Sequence, residues 1–289
     1  MDKRINLGMD YIRDNIDNFF NVTALKEDKE DQLKSFVELL FFYNLIPEDA
    51  KSKFDLYFIR DYALEIIDKH NMEMFFGESS NAFAGLSIIE KFLNNEGLTK
   101  YKQHIDKLAQ KTFKDRVIQV EKTVFRLLDI KYSLDVIGIK TNLPSYQEFY
   151  EQTVLGKDLP LVYSTIDSMY SITHTIFYLT DMGNDYLLDE DIPDISFILR
   201  SLIGNRIIEK DLDILGELLI GAFLLDISGN FEALMNKGIE TILNSQKQNG
   251  SFPAPNEYEY SSSYEEFRNN YHTTCVCLGV LLWCQEIKS

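Results

Sequence analysis

Cysteine is scarce in this chain and confined to one place: Cys275, Cys277 and Cys284 are the only three, all close to the C-terminus. An odd number on one short segment excludes a disulfide framework and points to a reducing compartment, the cytoplasm. Proline is scarce too, with six in 289 residues, and each falls between or at the edge of periodic segments, where a helix breaker belongs. Long hydrophobic runs are missing. The stretches 36–46 (FVELLFFYNLI) and 214–225 (ILGELLIGAFLL) are too short to span a bilayer, and residues 1–20 hold no uninterrupted apolar stretch of the signal-peptide kind. Basic charge is in short supply: 29 Lys and Arg stand against 46 Asp and Glu, a formal net charge of −17. A field of that sign repels phosphate backbones and anionic membrane surfaces, so neither nucleic acid nor membrane insertion is expected. It also disfavours anionic substrates away from a local basic patch. No glycine-rich phosphate loop, dinucleotide fingerprint, HExxH or Gly-x-Ser-x-Gly elbow is present.

What the chain does have is helical periodicity over nearly its whole length. Leu7, Tyr11, Ile12, Ile16 and Phe19 form one stripe at three-and-four spacing. Further helices are expected over 31–46, 54–69, 81–95, 99–111, 113–132, 146–154, 161–180, 194–209, 213–227, 231–245 and 264–286. Two starts carry capping-box signatures, Ser145 with Glu148 and Ser262 with Glu265. The helices are of two kinds, amphipathic ones such as 99–111 and others apolar nearly all round: 36–46, 83–89, 176–179, 214–225 and 275–283, with 124–128 as a mixed sixth. A helix apolar on every side must be covered on every side. Six inner helices alternating with outer ones predict a single all-α domain over 1–289, an α/α toroid of about six helical hairpins. An open superhelix and a plain bundle are the other architectures that fit. The segment 249–263, irregular and Pro- and Ser-rich, reads either as a surface crossover or as a functional loop covering the mouth of the ring.

Polar groups on segments that should be buried are the candidate functional residues. His174 sits in SITHTIFYL, Asp213 and Glu217 in DLDILGELLIGAFLL, and His272 in NNYHTTCVCLGVLLW. A buried unpaired carboxylate or imidazole costs several kcal/mol, comparable to the stability of a whole domain, so each must be paired, ligand-bound or wet. Asp213 and Glu217, four apart, share a helix face. Parallel inner helices would gather their N-termini at one mouth and bring all four residues together. Two imidazoles with one or two carboxylates suit Zn²⁺, or Fe²⁺ in an open shell; without metal the same set is an acid–base pair. Simpler roles stand beside these: Asp213 as a helix cap, Glu217 in an ion pair, either histidine bonded to a carbonyl, and the cysteines as small core hydrophobes. His70 and His104 fall on wet-faced segments.

The stretch 246–285 resembles the last repeat of the β subunit of protein prenyltransferases, an α/α toroid. The matching elements are Gln246, Gly250 to Phe252, Pro253 to Pro255, then Tyr271, His272 and Thr273 leading into CVCLGVLL. Its first part is also similar to the repeat of squalene-type terpene cyclases. The resemblance implies a toroid and makes His272 a zinc ligand. Upstream, 204–213 (GNRIIEKDLD) resembles the segment where a basic pair for a diphosphate precedes Asp-x-Cys ligands, matched by Lys210 and Asp213 with Arg206 offset by one. The cysteine position is Leu215, or Asp213 if Asp211 is the matching aspartate, so the thiolate is absent. The cyclase acid motif is incomplete, since DLD is followed by Ile214. The segment His174, Thr175, Thr180, Asp181, Gly183 is similar to one in small bacterial proteins of the toroid type.

Together these features predict a metal-dependent enzyme whose central cavity binds zinc, or iron, through His272, Asp213 and His174. Glu217 and His174 are the catalytic candidates, Glu217 as a fourth ligand or as the acid–base group. Tyr271 and Tyr178 help shape the cavity or belong to the core. The expected guest is a small, largely apolar or aromatic molecule, or a peptide, in the cavity. The alternatives are a non-catalytic binding or scaffold protein with a protein partner, and an isoprenoid transferase or cyclase, for which Arg206 and Lys210 would point into the cavity beside Asp213.

Overall fold

A computed structural model describes residues 1–21, 29–70, 80–104, 106–107, 110, 122–157, 164–188, 190–256 and 259–286. Among these residues the regular structure is helical throughout, with no strand. The α-helices are α1 (Asp2–Asp14), α2 (Lys29–Leu45), α3 (Glu48–Lys53), α4 (Tyr57–Lys69), α5 (Ser80–Asn95), α6 (Val124–Val136), α7 (Tyr146–Tyr150), α8 (Ile166–Leu179), α9 (Ile195–Glu209), α10 (Leu212–Leu224), α11 (Glu232–Ser245) and α12 (Ser263–Glu286).

Most boundaries follow from local chemistry. Ser145 and Glu148 form the reciprocal capping box at the start of α7. At α12 the box is half made: Ser262 Oγ accepts from the Glu265 amide, but the Glu265 carboxylate reaches back to Ser261 instead. Thr165 caps α8 through the Ser168 amide, and Asp211 caps α10 through the Ile214 amide. The expected helix 54–69 begins later, at Tyr57, because Asp55 takes a left-handed turn (φ 50°) after α3. The segment expected over 113–132 is helical from Val124, its positions up to 121 lying outside the described residues. Of the expected helix 99–111, residues 102–104, 106–107 and 110 are helical, and 105, 108–109 and 111 lie outside the described residues.

The packing follows a definite succession. α2 packs on α5, α5 on α6, α6 on α8, α8 on α10, α10 on α12, and α12 on α2 again. The remaining helices lie against these: α1 and α3 on α12, α4 on α2, α7 on α6, and α9 and α11 on α10 and on each other. α10 is the most apolar helix, buried from Leu212 to Phe223. One of its two glycines, Gly216, lets α12 approach closely. A Cβ on Gly216 would lie 2.5 Å from Val276 Cγ1 of α12, so that contact requires glycine. Buried side chains from Ile5 to Cys284 form one core cluster, which includes the three cysteines, all free thiols. Among the described residues no helix is long and apolar enough to cross a membrane.

The described part of the irregular segment after α11 packs on the face of α12 opposite His272. Phe252 is fully buried and its amide donates to Thr274 Oγ1, while the Ala254 amide donates to Asn270 Oδ1. Asn270 and Thr274 are four apart on one face of α12, and His272, two residues from each, points to the opposite face. The described part of this segment is therefore a crossover packed on the outside of α12.

Candidate acid–imidazole centre

Four helices, α2, α8, α10 and α12, contribute one polar cluster. Asp213 is the second residue of α10 and Glu217 lies one turn deeper. His174 stands in the second half of α8, and His272 in the third turn of α12 rather than at its start, because that helix begins at Ser263. These depths bring the side chains to a common level. His272 Nε2 is 3.3 Å from Asp213 Oδ1 and 3.7 Å from Glu217 Oε1. The other Glu217 oxygen accepts a 2.6 Å bond from Thr173 and lies 3.8 Å from His174 Nδ1. His174 Nδ1 also donates to the Tyr170 carbonyl at 2.9 Å, and the Tyr170 hydroxyl donates to Asp213 Oδ2 at 2.6 Å. All four candidates thus belong to one centre, and Asp213 is a member of it while its neighbour Asp211 serves as the cap.

A fifth member was not anticipated. Glu38 of α2 meets His272 Nδ1 at 3.1 Å, and the Tyr271 hydroxyl also bonds it. Its signal was present in the sequence, as the single charge in the apolar run 36–46. The burial argument applied to Glu217 applies to it unchanged. Tyr170 and Thr173 gave no such signal, since a hydroxyl on a helix is unremarkable until its partner is known. Tyr178 is buried, its hydroxyl bonded to Asp129 of α6, and Tyr271 is buried beside Phe19 and Phe267.

Exposure divides the cluster into two layers. The Asp213 and Glu217 side chains are 7% and 5% exposed, whereas those of His272, His174 and Glu38 retain 35%, 29% and 24%. Asp213 and Glu217 lie at the back, and the imidazoles, with Glu38, are the more exposed members. Aromatic rings flank the imidazoles, with Phe125, Tyr170, Phe177 and Tyr178 all within 6.4 Å of the His174 ring centre.

Three carboxylates around one imidazole govern its charge. Burial works against the His272 imidazolium, but the charges of Asp213 and Glu38, with the hydrogen bonds its ring donates to Glu217 and Glu38, outweigh it and hold its pKa well above the usual histidine value. Burial pushes Glu217 and Glu38 upward, yet the imidazoles prevail and both end below the ordinary carboxylate range. Asp213 is the exception. Burial and the neighbouring Glu217 outweigh His272, so its pKa is raised. One oxygen explains part of this: Asp213 Oδ1 is buried and accepts no hydrogen bond, although it lies 3.3 Å from His272 Nε2. Such an orphaned acceptor is uncommon in a native interior and asks for a partner.

Arg206 and Lys210, which only the isoprenoid reading would place beside Asp213, are elsewhere. Arg206 is buried and paired with Glu209 at 2.7 Å and with Asp211 at 3.3 Å. Lys210 is exposed in a left-handed turn (φ 56°) closing α9. Among the described residues no group of three or more His, Cys, Asp or Glu stands arranged so as to hold a metal ion as the side chains lie.

Fold and centre together define an all-α protein with a buried acidic cluster fronted by two imidazoles. The chain belongs to the family described as "Domain of unknown function (DUF6895)", whose profile matches residues 7–282. No curated protein and no solved structure matches it.

Proposed function

We propose that this centre is the active site of a divalent-cation-dependent enzyme with the α/α-toroid architecture, acting on a small, largely apolar or aromatic molecule. The succession of six helices returning to its start, with outer neighbours on α2, α6, α10 and α12, supports the toroid. The observation that carries the cation is the orphaned Asp213 Oδ1 facing His272 Nε2 at 3.3 Å. Neighbouring ligands in a tetrahedral shell with bonds of about 2.0–2.1 Å stand roughly 3.3 Å apart. Asp213 and His272 already have that separation, and Glu217, at 3.7 Å, stands just outside it. Deprotonation of Nε2 would turn an ion-paired imidazolium into a ligand, with the Glu38 carboxylate on Nδ1 fixing the ring and its tautomer. His174 has its Nδ1 held in the same way by the Tyr170 carbonyl. Zinc suits this nitrogen and oxygen set best, with iron second. A cation held there supplies Lewis-acid activation of a polar substrate group. Glu217, gripped by Thr173, is the acid–base residue, and His174 stands beside it.

Metal analysis of tag-free protein, followed by calorimetric titration with zinc, tests this reading. One equivalent is expected, with at least tenfold weaker binding in Asp213→Asn and a 10- to 100-fold loss, by order of magnitude, in Glu38→Gln. Absence of bound metal after gentle reconstitution, with an unchanged melting temperature, would remove the cation from the account. A metal-free acid–base site is the second reading. It is favoured by His272 having carboxylates at both ring nitrogens already. The non-catalytic reading wanted each histidine on a carbonyl, and only His174 is.

A further inference from the structure

One contact links helices that are not consecutive in the packing succession. Phe41 of α2 and Phe177 of α8 have ring centres 6.1 Å apart, although α2 neighbours α5 and α12, and α8 neighbours α6 and α10. Each phenylalanine lies three residues beyond a member of the acid–imidazole centre, Phe41 after Glu38 and Phe177 after His174. Residues three apart share a helix face, and three residues advance the helix by about 4.5 Å. The two rings therefore meet one turn deeper than the polar cluster, on the same inward faces. Phe177 is buried, whereas Phe41, Phe125 and Val276 keep partial exposure, as do His174 and His272 above them. Val276 lies four residues past His272 and packs against Gly216.

We infer that the Phe41–Phe177 pair is the floor of the substrate pocket, and that the pocket takes a compact aromatic molecule one ring deep with its polar head at Asp213, Glu217 and His272. This rests on the active-site reading above, since the head group is located by that centre. The polar layer stands only about one helical turn above the aromatic pair, so the ring of a guest whose head reaches Asp213, Glu217 and His272 rests directly on Phe41, and a longer tether would drive it into that floor. Phe125 and Phe41 offer faces and edges for stacking, the arrangement aromatic pairs prefer. Three carboxylates against one imidazolium leave the head-group end acidic, so the head is one that ligates a cation or carries positive charge itself. Phe41 is then a specificity-determining residue. Of the floor pair it is the partly exposed member, so its ring is the one a guest meets.

Two ligand series on the full-length protein test the floor. Phenylalkyl hydroxamic acids with zero to three methylenes between ring and head require the bound metal; phenylalkylamines of the same lengths do not. Dissociation constants are measured by calorimetry, for hydroxamates on zinc-loaded protein and for amines on metal-free protein. Wild type should bind the shortest members best and lose at least tenfold once the tether exceeds one methylene. Phe41→Ala should move the optimum to a longer member, with Phe41→Leu intermediate and holding the fold if the alanine variant does not. If only the amines bind, with the same length limit, the metal reading fails and the floor stands. An affinity independent of tether length in both series, an optimum unmoved by Phe41→Leu and Phe41→Ala, or no binding of either series at millimolar concentration overturns the floor.

Discussion

Helix α12 carries buried polar groups on two opposite faces, and they are used differently. On the outer face, Asn270 and Thr274 accept hydrogen bonds from the amides of Ala254 and Phe252. Nearby, Gln246 donates to the carbonyls of Arg4 and Gly250. These are neutral side chains meeting backbone groups, and their product is a fixed crossover that ties α1, the segment after α11 and α12 together. On the inner face, His272 meets three ionisable carboxylates from two other helices, and one of their oxygens has no hydrogen bond. Buried polarity of the first kind settles a backbone path. The second kind leaves charge and acceptor capacity for a guest. The contrast also separates residues within 246–285: Gln246, Gly250 and Phe252 belong to the clamp, whereas His272, with Tyr271 bonded to Glu38, belongs to the centre.

The sharpest way to break the outer face is Gly250→Ala. Gly250 has φ +93°, and a Cβ there would sit 2.1 Å from the Leu7 carbonyl oxygen, a backbone atom with little room to yield. A loss of about 3–5 kcal/mol is expected from strain and clash together, read from urea unfolding; a loss under about 1 kcal/mol would show that the clamp is not tight.

The inner face should respond less and depend on pH. His272→Gln leaves Glu38, Glu217 and Asp213 without their cation, at a cost of about 1–3 kcal/mol once part exposure of the ring is discounted. The His272 pKa is raised in the folded state, so its contribution is complete below the unfolded value near 6.5 and is lost as pH rises through the elevated folded value. Glu38 and Glu217 are lowered, so theirs is present above about 4.5 and lost as pH falls through their folded values. The gap between wild type and variant should therefore be widest in mildly acidic to neutral solution and close on both sides. Unfolding curves of metal-free protein across pH measure it, and a gap that does not change with pH would contradict the ion-pair description.

The smallest effect sharpens the comparison. Gln246→Ala removes two donated bonds and should cost about 1 kcal/mol in stability, while zinc affinity measured by calorimetry stays within twofold of wild type. A large fall in affinity would mean that the two faces of α12 are coupled.

Much of this protein was legible in the chain before any coordinates. Apolar periodicity marked α2, α5, α8, α9, α10, α11 and α12 to within a few residues, because burial on one side or all round writes itself into spacing. Local capping chemistry marked the start of α7. The same burial logic singled out His174, Asp213, Glu217 and His272, since charge on an apolar helix is costly wherever the helix goes. It would have given Glu38 as well. What the sequence left open was every question of direction and partner. That Asp213 faces His272 while Asp211 caps its helix, that Arg206 turns to Asp211 and Glu209, and that the 249–256 segment lies on the far side of α12 all depend on how helices distant in the chain are rotated about their axes. That rotation is fixed by close contacts such as Gly216 against Val276 and Gly250 against Leu7. Periodicity records that a face is buried; only packing decides what it is buried against.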